Sequence, residues 1–456
     1  MLRNNWKQVK RDISFLIFIL FTLNITNMQA QKLWSLEDCI QYAIENNIQI
    51  KRQELNAKMA KNNYIQSKIQ VLPSISASGN HTVSQGRAVN YEDYSYVDIQ
   101  QQYGSVNLSG YMYFFNGLQG YNSIKQNKFN LKASLEDLEK SKNDIMLNIA
   151  TAYLQILFNE ELLEIAKNQL EVTKQQVERT QLQVEVGKVQ RGRLLEMQAQ
   201  AAQEKFNVTS YNNQLKISYL TLTQILDLDS VGNFKIQHPE LPEIDKAKVL
   251  LPVNIIYFEA QAHLPQIKSA EYNLKSSEKG LALVRGQRIP RISIGAGTYS
   301  RYSDLAINPR NPQTDYVYTD QIKDNRNTGV QFSLNFPIFD GYRTQTNISN
   351  SKISVLDAKL ALDQARQQLY QEIQQAHANA FAALDNYKSS HEAILFMEEA
   401  FNYTQKQFDV GLVSSVDYNI AKNNLTSAQS NLLQAKYDYI FKTKILDFYL
   451  GKPIVL

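Results

Sequence analysis

The side chains that could do covalent or metal chemistry are few and scattered. Five histidines, His81, His238, His263, His377 and His391, show no ligand spacing of the HExxH kind. His377 and His391 stand 14 residues apart on one predicted helix, too far to share an ion. Glu392 adjoins His391, and immediate neighbours on a helix point off different faces. Gly295-Ala296-Gly297 lacks the third glycine of a nucleotide-binding loop and falls in a predicted strand. Cys39 is the sole cysteine, so no intramolecular disulfide can form. It follows Leu36-Glu37-Asp38, without the small residues that flank a lipidated cysteine, and reads as a buried helix residue. No Ser, His and acid arrangement can be drawn from the sequence. The expectation is a protein that is not an enzyme and holds no metal or cofactor.

The elements that carry these residues form a duplication. Gln183-Val184-Glu185-Val186-Gly187 recurs 224 residues later as Gln407-Phe408-Asp409-Val410-Gly411. At the same offset Phe115-Asn116-Gly117 lies over Phe339-Asp340-Gly341, Ile124 over Ile348, Ala152 over Ala376, Thr180 over Thr404 and Leu226 over Leu450. Repeats outrank other signals in reading a fold. The runs Tyr121 to Val186 and Tyr342 to Val410 hold no Gly or Pro, and neither do Arg193 to Val231 and Leu412 to Leu450. Glycine just past a helix end takes positive φ without penalty. Each motif therefore reads as the turn of a very long helical hairpin. Its first arm, roughly 66 residues, spans about 100 Å at 1.5 Å per residue. Such arms must pack sideways against other long helices.

The 456 residues fit two fused repeats better than unrelated domains. Arg3, Lys7, Lys10 and Arg11 precede the apolar run Ile13 to Leu23, and Met28-Gln29-Ala30 follows. This reads as a signal peptide over residues 1–30, cleaved after Ala30. Those residues carry most of the net charge of +4, leaving about +1 for residues 31–456. No basic surface points to nucleic acid as a partner. Beyond residue 30 no apolar run approaches the length of a membrane helix, whereas a β-barrel stays open.

Repeat one is read as 35–228, a linker as 229–263 and repeat two as 264–452, all within one protomer. Ser35-Leu36-Glu37-Asp38 resembles a capping box and starts a helix expected to run to Leu72, where Pro73 ends it. Leu72-Pro73-Ser74-Ile75-Ser76 has a twin in Ile289-Pro290-Arg291-Ile292-Ser293, at offset 217. Glu54, Asn56 and Lys58 match Glu271, Asn273 and Lys275 at that offset. Two β-hairpins follow, about 74–115 and 291–339, with strands of roughly ten residues and long loops near 85–103 and 303–327. Ile75, Ala77 and Val83 oppose Ser76, Ser78, Asn80, Thr82 and Ser84 in parity. Val106, Leu108 and Met112 oppose Asn107 and Ser109. Ile292, Ile294 and Ala296 alternate in the same way, and Val330, Phe332, Leu334 and Phe336 oppose Gln331, Ser333 and Asn335. Four strands cannot close a barrel, and an open sheet in lipid leaves edges unpaired. If the hairpins enter a membrane, several copies must close the sheet together. Gly232, Pro239, Pro242 and Pro252 punctuate the linker, which is expected beside the middle of the helical arms.

These features in this order resemble the TolC-like outer-membrane efflux proteins. The signal peptide, the Leu-Pro-x-Ile-Ser entry, Phe336-Pro337-Ile338-Phe339-Asp340-Gly341, the two Val-Gly turns and Leu446-Asp447-Phe448-Tyr449-Leu450-Gly451 carry the resemblance over essentially all of 35–452. It implies a mixed α+β membrane protein. A long antiparallel α-helical barrel would continue into a transmembrane β-barrel built by a homotrimer, four strands per protomer. It implies an exit duct for a tripartite efflux pump or a type I secretion system, set in outer-membrane lipid and extending into the periplasm. The implied partners are a periplasmic adaptor (a membrane fusion protein) and an inner-membrane transporter. Val186, Gly187, Val410, Gly411 and Leu412 would form the tip that meets the adaptor. Asp417 looks like an acid that constricts the pore, and Ile420 stands where the family has a second. Arg193 occupies the corresponding place in repeat one, with Arg191 nearby. Ion pairs between Arg193 and Asp417 across neighbouring hairpins would hold the tip closed.

The competing architecture is a trimeric envelope scaffold or adhesin with a solid coiled-coil stalk. That requires sustained apolar a/d heptads. The arms instead carry stretches such as Gln198-Ala199-Gln200-Ala201-Ala202-Gln203 and the pair Asn423-Asn424. The sequence does not indicate a cargo.

Overall fold

A computed structural model describes residues 33–89, 94–228, 234–241, 244 and 250–454. The expected signal peptide lies outside these, as do Gly232 and Pro242 of the linker. Among the described residues, β1 (Leu33–Trp34) precedes α1 (Leu36–Asn46) and α2 (Ile48–Ile69). The first β-hairpin is β2 (Ser74–Val89) and β3 (Tyr96–Phe115), followed by α3 (Gln119–Glu185) and α4 (Arg191–Ile225). A short β4 (Lys235–Ile236) leads to α5 (Val253–His263) and α6 (Pro265–Arg285). Then come β5 (Arg291–Ser303), α7 (Tyr318–Asp324) and β6 (Asn327–Asn335), and last α8 (Arg343–Asp409) and α9 (Ser415–Tyr449).

Helices α3 and α8 each hold 67 residues, and α4 and α9 each hold 35. Neither long helix carries a strong apolar stripe, so neighbours must supply its stability. Along one part of its length α3 packs on α4, and along another on α2 and α6; α8 does the same with α9 and α6. Helix α6 is therefore wedged between the two long helices. The junctions from strand to long helix use two consecutive left-handed residues, Gly117-Leu118 and Gly341-Tyr342. A Cβ on Gly117 would meet the Gly286 carbonyl oxygen at 2.4 Å, so glycine is required there by contact as well as by φ.

The helix expected to run from Leu36 to Leu72 is two helices. Asn47 breaks it, with ψ at 130°, and its Oδ1 accepts from the Gln49 and Ile50 amides at 2.9 and 3.3 Å. Its Nδ2 donates to the Ile225 carbonyl at 2.9 Å. A break without Gly or Pro is held by one side chain that caps locally and bonds a distant helix end. Helix α4 stops at Ile225 because Asp227 turns left-handed, at φ 54°, while its carboxylate accepts from the Ile48 amide at 2.9 Å. Part of the expected linker is also helical: α5 lies within 229–263, yet stands 217 residues on from α1.

The described linker residues around β4 lie against the middle of α3. β4 pairs parallel with β1, and the Tyr153 hydroxyl donates to the Gln237 carbonyl at 2.6 Å. His238 Nε2 lies 2.6 Å from Glu160. The main core gathers here, with Cys39, Ile149, Tyr153, Ile156, Leu222 and Ile236 buried.

The four long strands form one antiparallel sheet in the order β2-β3-β5-β6. β2 and β3 hold 16 and 20 residues, longer than the expected ten, and run into the segment read as loop. The registers Ala77↔Leu108, Leu108↔Thr298, Met112↔Ile294 and Ile294↔Phe332 put the apolar parity of every strand on one face. Ser76↔Ser109 and Ser293↔Ser333 show the polar parity on the other. Among the described residues nothing covers the apolar face: Phe332 is 76% exposed and Leu334 72%. No described helix is long and apolar enough to cross a membrane.

Burial raises the pKa of Tyr449 to about 12, with Glu372 adding to the shift, and raises Tyr153, Tyr219 and Tyr437 further. Their phenols ionise in the unfolded chain near the ordinary value of 10.0, before they do so in the fold. Stability is thus retained below that value and lost as the pH climbs towards 12. Helical circular dichroism should be flat from about pH 7 to 9 and fall above about pH 10, in step with tyrosinate absorbance.

Candidate functional site

The tips of the two helical hairpins are built alike. Gly187 and Gly411 take φ of 72° and 82° just past the helix ends. The Lys188 amide donates back to the Gln183 carbonyl at 2.8 Å, and Leu412 to Gln407 at 2.9 Å. This six-to-one closure satisfies a carbonyl that the helix end would leave open. Val186, Val410 and Leu412 stand exposed on the turns.

The starts of the return helices differ. At α9, the Ser414 Oγ accepts from the Asp417 amide at 3.1 Å, and the Asp417 carboxylate accepts from the Ser414 amide at 3.2 Å. Asp417 thus completes a capping box. At α4 the cap is Gln190, without a side-chain bond, and Arg191 follows, exposed, as the first helical residue. The Arg193 guanidinium reaches across to the second hairpin. It lies 3.9 Å from the centre of the Phe408 ring, and its Nη2 donates to the Phe408 carbonyl at 3.4 Å. Partial burial holds its pKa below the ordinary value, while Glu196 opposes the shift. It remains a cation at physiological pH. Among the described residues no ion pair joins Arg193 to Asp417 within the protomer.

What joins the hairpins here is a set of residues to which the sequence assigned no contact. Arg179 on α3 pairs with Asp409 at the end of α8, at 2.9 Å. Glu196 on α4 accepts from the Ser415 hydroxyl on α9. Between them Met197, Phe408 and Tyr418 form a small core, the two rings stacked at 4.5 Å. Cation, ring and carboxylate contacts thus tie four helices together at one level.

A second tie lies one level deeper. Lys422 on α9 is 1% exposed. Its Nζ meets Glu204 Oε1 on α4 at 3.0 Å and the Gln169 carbonyl on α3 at 2.9 Å, and also donates to Thr173. Burial lowers its pKa, and Glu204 opposes the shift. A pattern signal was available for Lys422. It falls four residues after Tyr418 and three before Leu425, on the buried stripe of α9. The tip residues Arg179 and Asp409 carried no comparable signal, being charges on exposed faces.

Removing one member of a buried pair strands the other charge and costs about 3–5 kcal/mol. Lys422→Met should lower the thermal midpoint of the purified protein sharply. The double variant Lys422→Met/Glu204→Leu should recover most of that loss, as read by circular dichroism. Equal loss in both would show that the pair acts through packing alone.

The sequence model for outer membrane efflux proteins matches residues 39–227 and 256–452, one segment for each half. The outer membrane protein TolC of Escherichia coli K12 is 20% identical over 70% of this chain and 64% of its own length. The outer membrane efflux protein BepC of Brucella suis is 20% identical over 92% of this chain and 86% of its own. The structure of the outer membrane protein VceC of Vibrio cholerae superposes with a TM-score of 0.76 at 16% identity, covering 91% of this chain and 96% of that one. At that identity the superposition speaks for the fold alone. The long paired helices, the two-faced sheet and the family match together establish that this chain belongs to the outer membrane efflux proteins and resides in the outer membrane, extending into the periplasm.

Proposed function

We propose that three copies of the chain close a twelve-stranded barrel and a continuous helical tunnel. The assembly is a passive exit duct for a tripartite efflux pump or a type I secretion system. One observation carries this reading: an open four-stranded sheet whose apolar face and two edge strands have no partner among the described residues of the protomer. In lipid each unpaired backbone group costs several kcal/mol, so an open edge is not tenable there.

The helices support the same closure. α6 packs on both α3 and α8, whereas its counterpart α2 packs on α3 and leaves Leu55, Met59 and Ile69 exposed. On α8, Ile353, Leu356 and Leu360 are exposed at spacings of three and four. Seating α2 of one copy on α8 of the next repeats the α6–α3 contact and covers both stripes. A solid stalk would place its apolar residues on a single axis. Here the apolar seams lie between neighbouring helices, which suits a hollow wall.

The exposed Val186, Gly187, Val410, Gly411 and Leu412 offer a periplasmic adaptor its contact, and the adaptor links the duct to an inner-membrane transporter. Arg191, Arg193 and Asp417 are the gate candidates. In the assembled tip Arg193 and Asp417 pair across neighbouring hairpins and hold the closed state. Each such exposed pair contributes only about 0–1 kcal/mol, so the gate depends on three symmetric copies.

The purified protein should conduct ions in a planar bilayer, with discrete steps that a monomeric or solid assembly could not give. Arg193→Ala and Asp417→Asn should each raise the open fraction several-fold. Ser414→Ala, which removes the helix cap but keeps the acid, should change it little. Unchanged opening in both charge variants would discard the gate. Leu356→Glu with Leu360→Glu should reduce the share of trimer seen in mild detergent.

A further inference from the structure

The strands of the sheet are unequal at their outer ends. β5 runs to Ser303, but β6 begins at Asn327, paired with Tyr299. The outer end of β5 therefore projects past its neighbour. Ser303 faces Tyr103 on β3, while the adjoining Asp304 amide bonds the Gln102 carbonyl at 2.9 Å. The main-chain groups of Ser303 thus point to the other side, into the notch above β6. Side chains of α7 meet them there. Gln321 Oε1 accepts from the Ser303 amide at 2.8 Å, and its Nε2 donates to the Ser303 carbonyl at 2.8 Å. Asn325 Nδ2 donates to the Arg301 carbonyl at 2.9 Å. Gln321 is 1% exposed. The carboxamides of Gln321 and Asn325 take up the Ser303 amide and the Ser303 and Arg301 carbonyls, as a longer β6 would, where β6 itself is absent.

The same notch has a second wall once the barrel closes. This step rests on the trimeric closure proposed above. The duplication fixes the seam between copies. β3 pairs with β5 in the register Tyr111↔Gly295 and Ser109↔Gly297. Moving β3 forward by 224 and β5 back by 217 turns these into Asn335 against Ser78 and Ser333 against Asn80 of the next copy. Both pairs keep the polar parity on one face, a condition that a slip of one residue would violate. In this register Asn327, the first residue of β6, faces Gly86, so β2 of the next copy overhangs from Arg87 outward. That overhang and the end of β5 bracket one gap, and α7 occupies it.

We propose that α7 is an intersubunit plug. One side replaces the missing length of β6 against its own β5, and the opposite side seats the outer end of β2 from the neighbouring copy. Thr319, two residues before Gln321, lies on that opposite side of the helix. A seven-residue helix in a surface loop, fixed by the buried Gln321 carboxamide and the exposed one of Asn325, thereby seals the rim where the strand ladder runs out.

The test uses co-expressed single-cysteine chains in a Cys39→Ala background, so that any cross-link joins two copies. Thr319→Cys with Arg87→Cys probes the plug, and Ser333→Cys with Asn80→Cys probes the seam. Outer-membrane vesicles are treated with a short bis-maleimide. Cross-linked dimers from both pairs are expected, together with a loss of at least half of the plug product in Gln321→Ala/Asn325→Ala. A seam product without a plug product would overturn the plug and leave the closure standing. Absence of both would overturn both. A plug product that survives the carboxamide double variant undiminished would also overturn the strand-surrogate role.

Discussion

The backbone of an edge strand must find hydrogen-bond partners, and in a bilayer it cannot find them in water. Much else in the fold answers to that requirement. A sheet of four strands with one apolar and one polar face satisfies side-chain partition but not its own borders. Its register is strict because a slip of one residue would turn Phe332 and Leu334 to the polar side. The glycines at Gly104 and Gly117 serve the same sheet. At Gly104 a Cβ would lie 2.5 Å from the Tyr302 hydroxyl, which bonds His81 across the strand. Gly117 lets the chain leave β3 and enter α3 without a loop that would lengthen the border.

Below the sheet the constraint changes from backbone to packing. Helices of 67 residues with weak apolar stripes cannot stand as isolated rods. Shorter helices meet them in sequence: α2 and α6 near the sheet, then α4 and α9 towards the tips. Where the two arrangements meet, the linker strand β4, β1 and the capped break at Asn47 knit the N-terminal helices to the end of α4. That is why the largest buried cluster lies at mid-height and not at either end. The tips have little apolar material, and polar ties take over there.

Much of this was legible because it rests on local rules. Glycine after a breaker-free run marks a helix end, so Gly187 and Gly411 located both tips. Period-two alternation located four strands and their faces, and the two offsets located the duplication. The features that escaped depend on partners remote in sequence. Asn47 breaks a helix because its Nδ2 finds a carbonyl 178 residues away. Within the protomer Arg193 turns to Phe408 and Asp417 to its own cap, contacts that reading them as a gate pair did not include. Strand length was underestimated because tyrosine- and glutamine-rich sequence resembles a loop until a ladder forms on it.

The duplication is least faithful where the hairpins are tied. The counterparts of Lys422 and Glu204 in the other repeat are Gln198 and Ala428, and those of Gln169 and Thr173 are Ala393 and Met397. The contact between the two hairpins of one copy therefore carries a buried charge pair. In a closed trimer the equivalent contact, between the second hairpin and the first hairpin of the next copy, would be neutral. At this level the two kinds of contact would alternate around the tunnel, one locked by a buried pair that is costly to break and one without such a pair, held nearer the tip only by the exposed Arg193–Asp417 pairs proposed above. Any dilation of the tip would then part the chains along the neutral contacts and move each protomer's four helices as a unit. The tip core of Met197, Phe408 and Tyr418 spans the same locked contact. Its counterparts, Ala421, Val184 and Leu194, hold no aromatic ring to stack across the other.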